Sequence, residues 1–159
     1  MPQSGRCGVD KSFECIYTYS VATAADLVAT KDCHCLAARR TARMITRLYE
    51  QKLRPHGLRA TQFSILAALA LRGPTRVSEL AELLDLERTT LTRSVALLER
   101  NGWVRAVRPE DARERPLQLV PAGRRKLEAA FPAWNAAQEL VGRTFGRSNA
   151  RVQNRYIKR

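Results

Sequence analysis

Apolar residues recur at three- and four-residue steps along much of the chain, and the breaks between those runs divide it into elements. The densest pattern lies between Arg76 and Gly123. Ser78-Glu79-Leu80-Ala81-Glu82-Leu83-Leu84 predicts a short helix, with Ser78 placed to cap its first free amides. Asp85-Leu86-Glu87 breaks the period and Arg88 to Asn101 resumes it. There Leu91, Val95 and Leu98 recur at i, i+4 and i+7, which predicts one buried stripe. Arg88, Thr89, Thr92, Arg93 and Ala96 fall on the opposite face. Asn101-Gly102 closes this helix, the glycine supplying a left-handed residue. Trp103 to Arg108 then alternates apolar and basic residues, as a strand with one wet face does. Pro109 to Pro116 is a charged turn, and Leu117-Gln118-Leu119 returns as the partner strand.

The flanks are helical. Leu36 to Leu53 carries a stripe of Met44, Ile45, Leu48 and Tyr49, with Arg39, Arg40, Arg43 and Arg47 on other faces, and Pro55-His56-Gly57 ends it. Ala60 to Leu71 predicts a second helix burying Phe63, Leu66, Ala67 and Ala70, stopped by Arg72-Gly73-Pro74. Thr75-Arg76-Val77 reads as a short third strand beside the ribbon. Pro121 to about Phe145 is a long helix, with Leu127, Phe131, Trp134, Gln138, Val141 and Phe145 at three-to-four spacing and a bend expected at Pro132. So aromatic a stripe fits either simple core or, in a chain with a separate winged-helix core, a surface for a second subunit, the preferred reading. The fold class is therefore mainly α with a small β-wing: a winged helix-turn-helix core plus a helical dimerisation lobe. Residues 1–32 form a poorly defined extension, in which only Phe13 to Val21 suggests a short extended segment, and no function is assigned to them. The domain proper runs over 33–145, and 146–159 is a basic tail with few apolar residues.

Charge narrows the partners. With 159 residues the chain fits one domain able to bury its own core. Its 28 Lys+Arg against 15 Asp+Glu leave a net charge of +13, which favours a polyanion and salt-sensitive association. Arginine dominates the excess, and its planar fork suits phosphate and guanine edges. An acidic membrane is disfavoured, because the basic residues are spread over several elements. The longest apolar run, Ile65 to Leu71, is far short of the roughly 18–20 residues that span a bilayer. The start shows no secretory signal pattern, which points to the cytoplasm and to reduced thiols for the four cysteines. An enzyme is disfavoured as well: there is no G-x-G-x-x-G, no P-loop, no G-x-S-x-G and only two histidines, and no cofactor is expected.

Helix, turn, helix and wing together present Arg88, Thr89, Thr90, Thr92 and Arg93 at the N-terminal end of a helix, where a major-groove reader carries its contacts. Arginine forks onto guanine and threonine methyls touch thymine, while Ser78 and the amides behind it suit a phosphate. The run Val77-Ser78-Glu79-Leu80-Ala81, then Leu86 to Arg93, then Leu98-Glu99-Arg100-Asn101-Gly102-Trp103-Val104 resembles the winged-helix core of the MarR (multiple-antibiotic-resistance regulator) family. Asp111-Ala112-Arg113 followed by Leu117, Leu119 and Gly123 matches that family's wing pattern. Leu53 to Phe63 resembles its connection between helices one and two. The similarity spans about residues 33–141.

The resemblance implies a sequence-specific regulator, a repressor, acting as a homodimer on a palindromic operator in double-stranded DNA. It places Arg113 in a minor groove, oriented by a salt bridge from Asp111, with Arg108 and Arg115 on flanking phosphates. It puts the first long helix in the dimer lobe beside an effector pocket, where the four arginines suit a small aromatic or anionic effector or simply form a solvated face. An effector or an oxidant would then change the spacing of the two reading helices. Two positions depart from the family. Arg59 stands at a usual threonine cap, so Thr61 is the expected substitute. Val120 stands at another, at an expected cost of about 1 kcal/mol. The rival in a different class is a winged helix that binds nucleic acid without specificity, or serves as a protein adaptor.

Cys33-His34-Cys35 sits at the start of the first long helix. Small side chains with no chemistry are the favoured reading. A thiol switch comes next, since a helix N-terminus lowers a thiol pKa. A metal site comes last, because C-x-C lacks a second ligand pair.

Overall fold

The computed structural model describes residues 24–107 and 116–146. The chain divides between Ala38 and Arg39 into two units. In the first, helix α1 (Ala24–Val28) runs into a single 3-10 turn (Ala29–Asp32), although no helical period was expected there. Helix α2 (His34–Leu53) begins two residues before its apolar period does.

In the second unit, the end of α2 passes through a 3-10 turn, Arg54–His56, to Gly57 at φ 66°, and α3 (Ala60–Arg72) follows. Then come α4 (Val77–Leu83), α5 (Arg88–Arg100), β1 (Val104–Ala106), β2 (Leu117–Leu119) and α6 (Pro121–Phe145). The core is built on α3, which is apolar on most of its circumference: Phe63, Ile65, Leu66, Ala68 and Leu69 are all buried. Leu80 of α4, Leu91, Val95 and Leu98 of α5, Val104 and Leu117 of the ribbon and Ala130 of α6 close around it. The stripe expected on α5 is thus buried as the period requires.

The two caps differ from expectation. Gln62 Oε1 accepts the Arg59 N–H at 2.9 Å and Glu50 Oε1 accepts the Ala60 N–H at 3.1 Å, so α3 is capped by these side chains and not by Thr61. The amide satisfies the backbone N–H of the residue before the helix, and the carboxylate that of its first residue. At α4 the residue before the helix is Arg76. Glu79 Oε2 accepts its N–H at 3.1 Å, while Glu79 Oε1 accepts from its Nε at 2.9 Å. Ser78 lies inside the first turn, exposed, and is not the cap.

The ribbon is antiparallel, with Val104 opposite Leu119, Arg105 opposite Gln118 and Ala106 opposite Leu117. The expected third strand shrinks to one residue. Thr75 exchanges two backbone bonds with Leu117, at 3.0 and 2.8 Å, and Val77 already belongs to α4 because Glu79 starts the helix there.

Helix α6 runs unbroken through Pro132. Its buried positions, Gly123, Ala130 and Ala137, recur every seven residues, so the inner face is rotated about one residue from the aromatic stripe read in the sequence. Small side chains win that face because they let the helix approach α3 closely. Trp134 reaches the core edge and stacks on Phe63, with centroids 5.6 Å apart, whereas Phe131 is 52% exposed and stacks on Trp134. The Tyr49 hydroxyl donates to Gln138 Oε1 and ties α2 to α6, and burial pushes the tyrosine pKa up. On α2, Met44 is 50% exposed and Ile45, Leu48 and Tyr49 are half-buried, so that stripe is only partly covered within the chain. The segment Phe13 to Val21 and residues 147–159 lie outside the described residues.

Candidate nucleic-acid interface

Two backbone devices aim α5. Before it, Leu84 ends α4, Asp85 takes the left-handed conformation at φ 49°, and Leu86 N–H returns to the Ala81 carbonyl at 2.9 Å. Aspartate tolerates that region better than most side chains, so the break in the period is a tight turn and not a loop. After it, Gly102 at φ 67° lets Trp103 N–H return to the Leu98 carbonyl at 3.0 Å. That closure joins α5 directly to β1. Leu91, Val95 and Leu98 then fix the rotation of α5 about its axis.

With that rotation set, Arg88, Thr89, Thr90, Thr92 and Arg93 are all exposed. Neither arginine joins an ion pair among the described residues, so both guanidinium forks are available. Thr92 Oγ1 donates to the Arg88 carbonyl at 2.8 Å. Its proton is committed, which leaves a methyl and acceptor lone pairs for an outside partner. Ser78 stands on the neighbouring helix and lines, with Glu82, Asp85, Glu87 and Arg88, a hollow of about 530 Å³ between α4 and α5. Five of the six helical candidates are thus exposed in the first two turns of α5, and the sixth borders the hollow beside them. The wing candidates Arg108, Asp111, Arg113 and Arg115 lie outside the described residues.

The base of the wing adds residues that sequence reasoning passed over. Arg105, Gln118 and Arg124 line a second hollow, of about 570 Å³, beside the start of α6. The signal was there to use: alternation about the buried Val104 puts Arg105 on the wet face of β1, and Gln118 is its partner across the ribbon.

Cys33 and Cys35 are both exposed and unbridged, one just before α2 and one in its first turn. Among the described residues no group of three or more histidine, cysteine, aspartate or glutamate side chains is placed to hold a metal ion. No described helix is long and apolar enough to cross a membrane.

Residues 56–114, which take in α3 through β1 of the described residues, match the MarR family. The MosR transcriptional regulator of M. tuberculosis, solved in complex with DNA, is 39% identical; the match covers 77% of this chain and 92% of that one, with a TM-score of 0.68. The chain belongs to the MarR family. Among curated proteins, YwoH of Bacillus subtilis, an uncharacterised HTH-type transcriptional regulator, is 36% identical over 88 residues, 55% of this chain. That match spans 64% of YwoH's length. AbfR has been solved bound to DNA in reduced and overoxidised forms; it is 25% identical with a TM-score of 0.62, and the overoxidised structure covers 80% of this chain and 98% of its own. The family and fold are those of transcriptional regulators and not of enzymes.

Proposed function

We propose that the chain is a sequence-specific DNA-binding repressor that acts in the cytoplasm as a homodimer on a palindromic operator. The outward face of α5 carries this reading: Arg88, Thr89, Thr90, Thr92 and Arg93 are exposed, join no ion pair among the described residues, and are fixed in rotation by the buried stripe behind them. Each subunit sets α5 in a major groove, with half-sites one helical turn apart. Arg88 and Arg93 fork onto guanine or phosphate, and the three threonines present methyls and acceptors to the groove. Ser78, in the first turn of α4, meets a backbone phosphate. Arg113 enters the adjacent minor groove, held by Asp111, with Arg108 and Arg115 on flanking phosphates. Partly covered apolar residues on α2 and α6, Met44 and Phe131 foremost, suit a second copy of the chain.

Release of DNA follows from a change in the spacing of the two α5 helices. Two triggers are open to the chain. A small aromatic or anionic effector would meet the exposed arginines of α2. Oxidation would act at Cys33 and Cys35, both open to solvent, and a relative solved on DNA in two oxidation states makes thiol chemistry the trigger to test first.

The deciding experiment is the mobility of duplex from the chain's own upstream intergenic region against random duplex, at two salt concentrations. A palindromic footprint that outlasts random competitor supports the repressor. Uniform, salt-labile binding to every duplex would leave only a general nucleic-acid binder.

A further inference from the structure

The helix-turn-helix is not basic. From Arg76 to Arg93 it holds three arginines, Arg76, Arg88 and Arg93, against four carboxylates, Glu79, Glu82, Asp85 and Glu87, in a chain of net charge +13. Glu79 is spent on Arg76. Glu87 has no such use. It is the residue immediately before α5, at φ −55° and ψ 131°, the position where a side-chain oxygen ordinarily caps the helix, yet its carboxylate makes no capping bond. Its backbone carbonyl receives the Leu91 N–H at 3.0 Å, so its only structural duty falls to the main chain. The side chain is exposed and joins no ion pair among the described residues. It therefore stands at the N-terminal tip of the helix as a free negative charge, next to Arg88.

A free carboxylate facing a polyanion opposes every non-specific encounter. Only a hydrogen-bond donor on a base edge offsets that cost. In the major groove the donors are the N4 amino group of cytosine and the N6 amino group of adenine. Adenine sets its N7 acceptor beside the donor, which repels the second carboxylate oxygen, and cytosine does not. The guanine paired with cytosine offers two acceptors to a guanidinium. The dipeptide Glu87-Arg88 therefore matches a C·G position, acid to donor and base to acceptors.

We propose that Glu87 is a base-selecting residue that accepts a hydrogen bond from cytosine N4 at one position of each half-site, beside a guanine forked by Arg88. The assignment rests on α5 being the groove helix. It also divides the labour: the helix-turn-helix supplies discrimination, and arginines elsewhere supply affinity.

The test is selection by the full chain from a pool of random duplexes, followed by competition with every single-base variant of the recovered site. Wild type is expected to prefer C·G at one position by roughly 5- to 150-fold, the range of one good base contact. E87A should lose that preference while keeping those at other positions, and should bind random duplex more tightly. E87Q should move the preference at the same position toward adenine, which a carboxamide pairs with bidentately. Because Glu87 makes no capping bond, both variants should stay folded and melt within a few degrees of wild type, the small loss being that of a negative charge at the helix N-terminus. A recovered site whose discrimination is unchanged in E87A and E87Q at every position overturns the assignment to Glu87 and leaves the operator reading standing. A wild-type chain that enriches no sequence overturns both.

Discussion

The wing is attached to the rest of the molecule at one point of unusually close contact. A Cβ built on Gly123 would lie 2.1 Å from the Trp103 carbonyl oxygen and 2.8 Å from Leu119 Cδ1. The same carbonyl accepts the Val120 N–H at 3.1 Å, the bond that docks the start of α6 on the ribbon. An ordinary carbon–oxygen contact needs about 1 Å more room, and both clashing partners are main chain or branched side chain held in the sheet. Gly123→Ala must therefore push α6 off β1 and stretch or break the Val120 bond. Overpacking of this kind costs about 1–3 kcal/mol and a lost hydrogen bond about 1 kcal/mol more. Against this, alanine recovers at most about 1 kcal/mol of helix propensity. The clash wins, and the net expectation is a loss of about 1–3 kcal/mol.

Urea or thermal denaturation of Gly123→Ala beside Gly102→Ala separates the causes. Gly102 has a positive φ but open space around it, so its substitution carries only the left-handed penalty of about 1–2 kcal/mol. Gly123→Ala should in addition weaken DNA binding, since Arg105 and the wing move with the ribbon. A midpoint equal to or above wild type for Gly123→Ala would refute the reasoning, by showing that the helix yields and that the glycine is a propensity cost alone.

Three further outcomes are expected. Arg113→Ala should weaken operator binding by about 1–3 kcal/mol in a titration at fixed salt, and an unchanged affinity removes it from the minor groove. Replacing Cys33 and Cys35 together with serine should abolish any peroxide-induced release of DNA in a mobility-shift assay, and a persisting response excludes the thiols as sensor. Hydrogen bonds from the Arg76 side chain and then from its backbone N–H hold the Glu79 carboxyl below the ordinary glutamate range. A depressed folded-state pKa contributes stability that is present above the unfolded value and fades as pH falls through the folded one. Glu79→Gln should therefore flatten the acid side of the stability–pH curve and leave its slope at neutral pH unchanged; an identical acid limb would show that the cap does not titrate with folding.

What could be read from sequence was whatever a period records. Leu91, Val95 and Leu98 announce one buried face of α5, and the exposure of Arg88, Thr89, Thr90, Thr92 and Arg93 follows from it by geometry. Contacts made at a distance left no such mark. Glu50 caps α3 from the preceding helix, and nothing in its position predicts the reach, whereas Gln62 at the third helical position carries a local capping signal that sequence reasoning passed over. On α6 the aromatic spacing pointed to one face, but close approach to α3 selected Ala130 and Ala137, residues too small to stand out in a hydropathy pattern. Ser78 reads as the cap because serine is the commoner one, but the helix starts two residues earlier, and Glu79 reaches back from its first turn to the Arg76 N–H. Gly123 was noticed only as part of a family pattern. Its reason, a carbonyl 2.1 Å from where a side chain would begin, exists in space alone.

The distribution of charge then bears on how one chain combines tight and selective binding. Were affinity and recognition both seated on α4 and α5, the net charge there would have to be strongly positive, and every phosphate in a genome would compete for the reading face. The residues from Arg76 to Arg93 avoid this by holding nearly balanced charge. Arg105 and Arg124 at the wing base and the four arginines of α2 are cations outside that segment. Salt should consequently act on the two components separately. Raising it weakens phosphate contacts in proportion to their number, whereas preference among base pairs, set by hydrogen-bond geometry at residues 87–93, should persist. Discrimination between operator and single-base variants that collapses in step with affinity as salt rises would place recognition in the backbone contacts, and the separation argued from the charge map would fail.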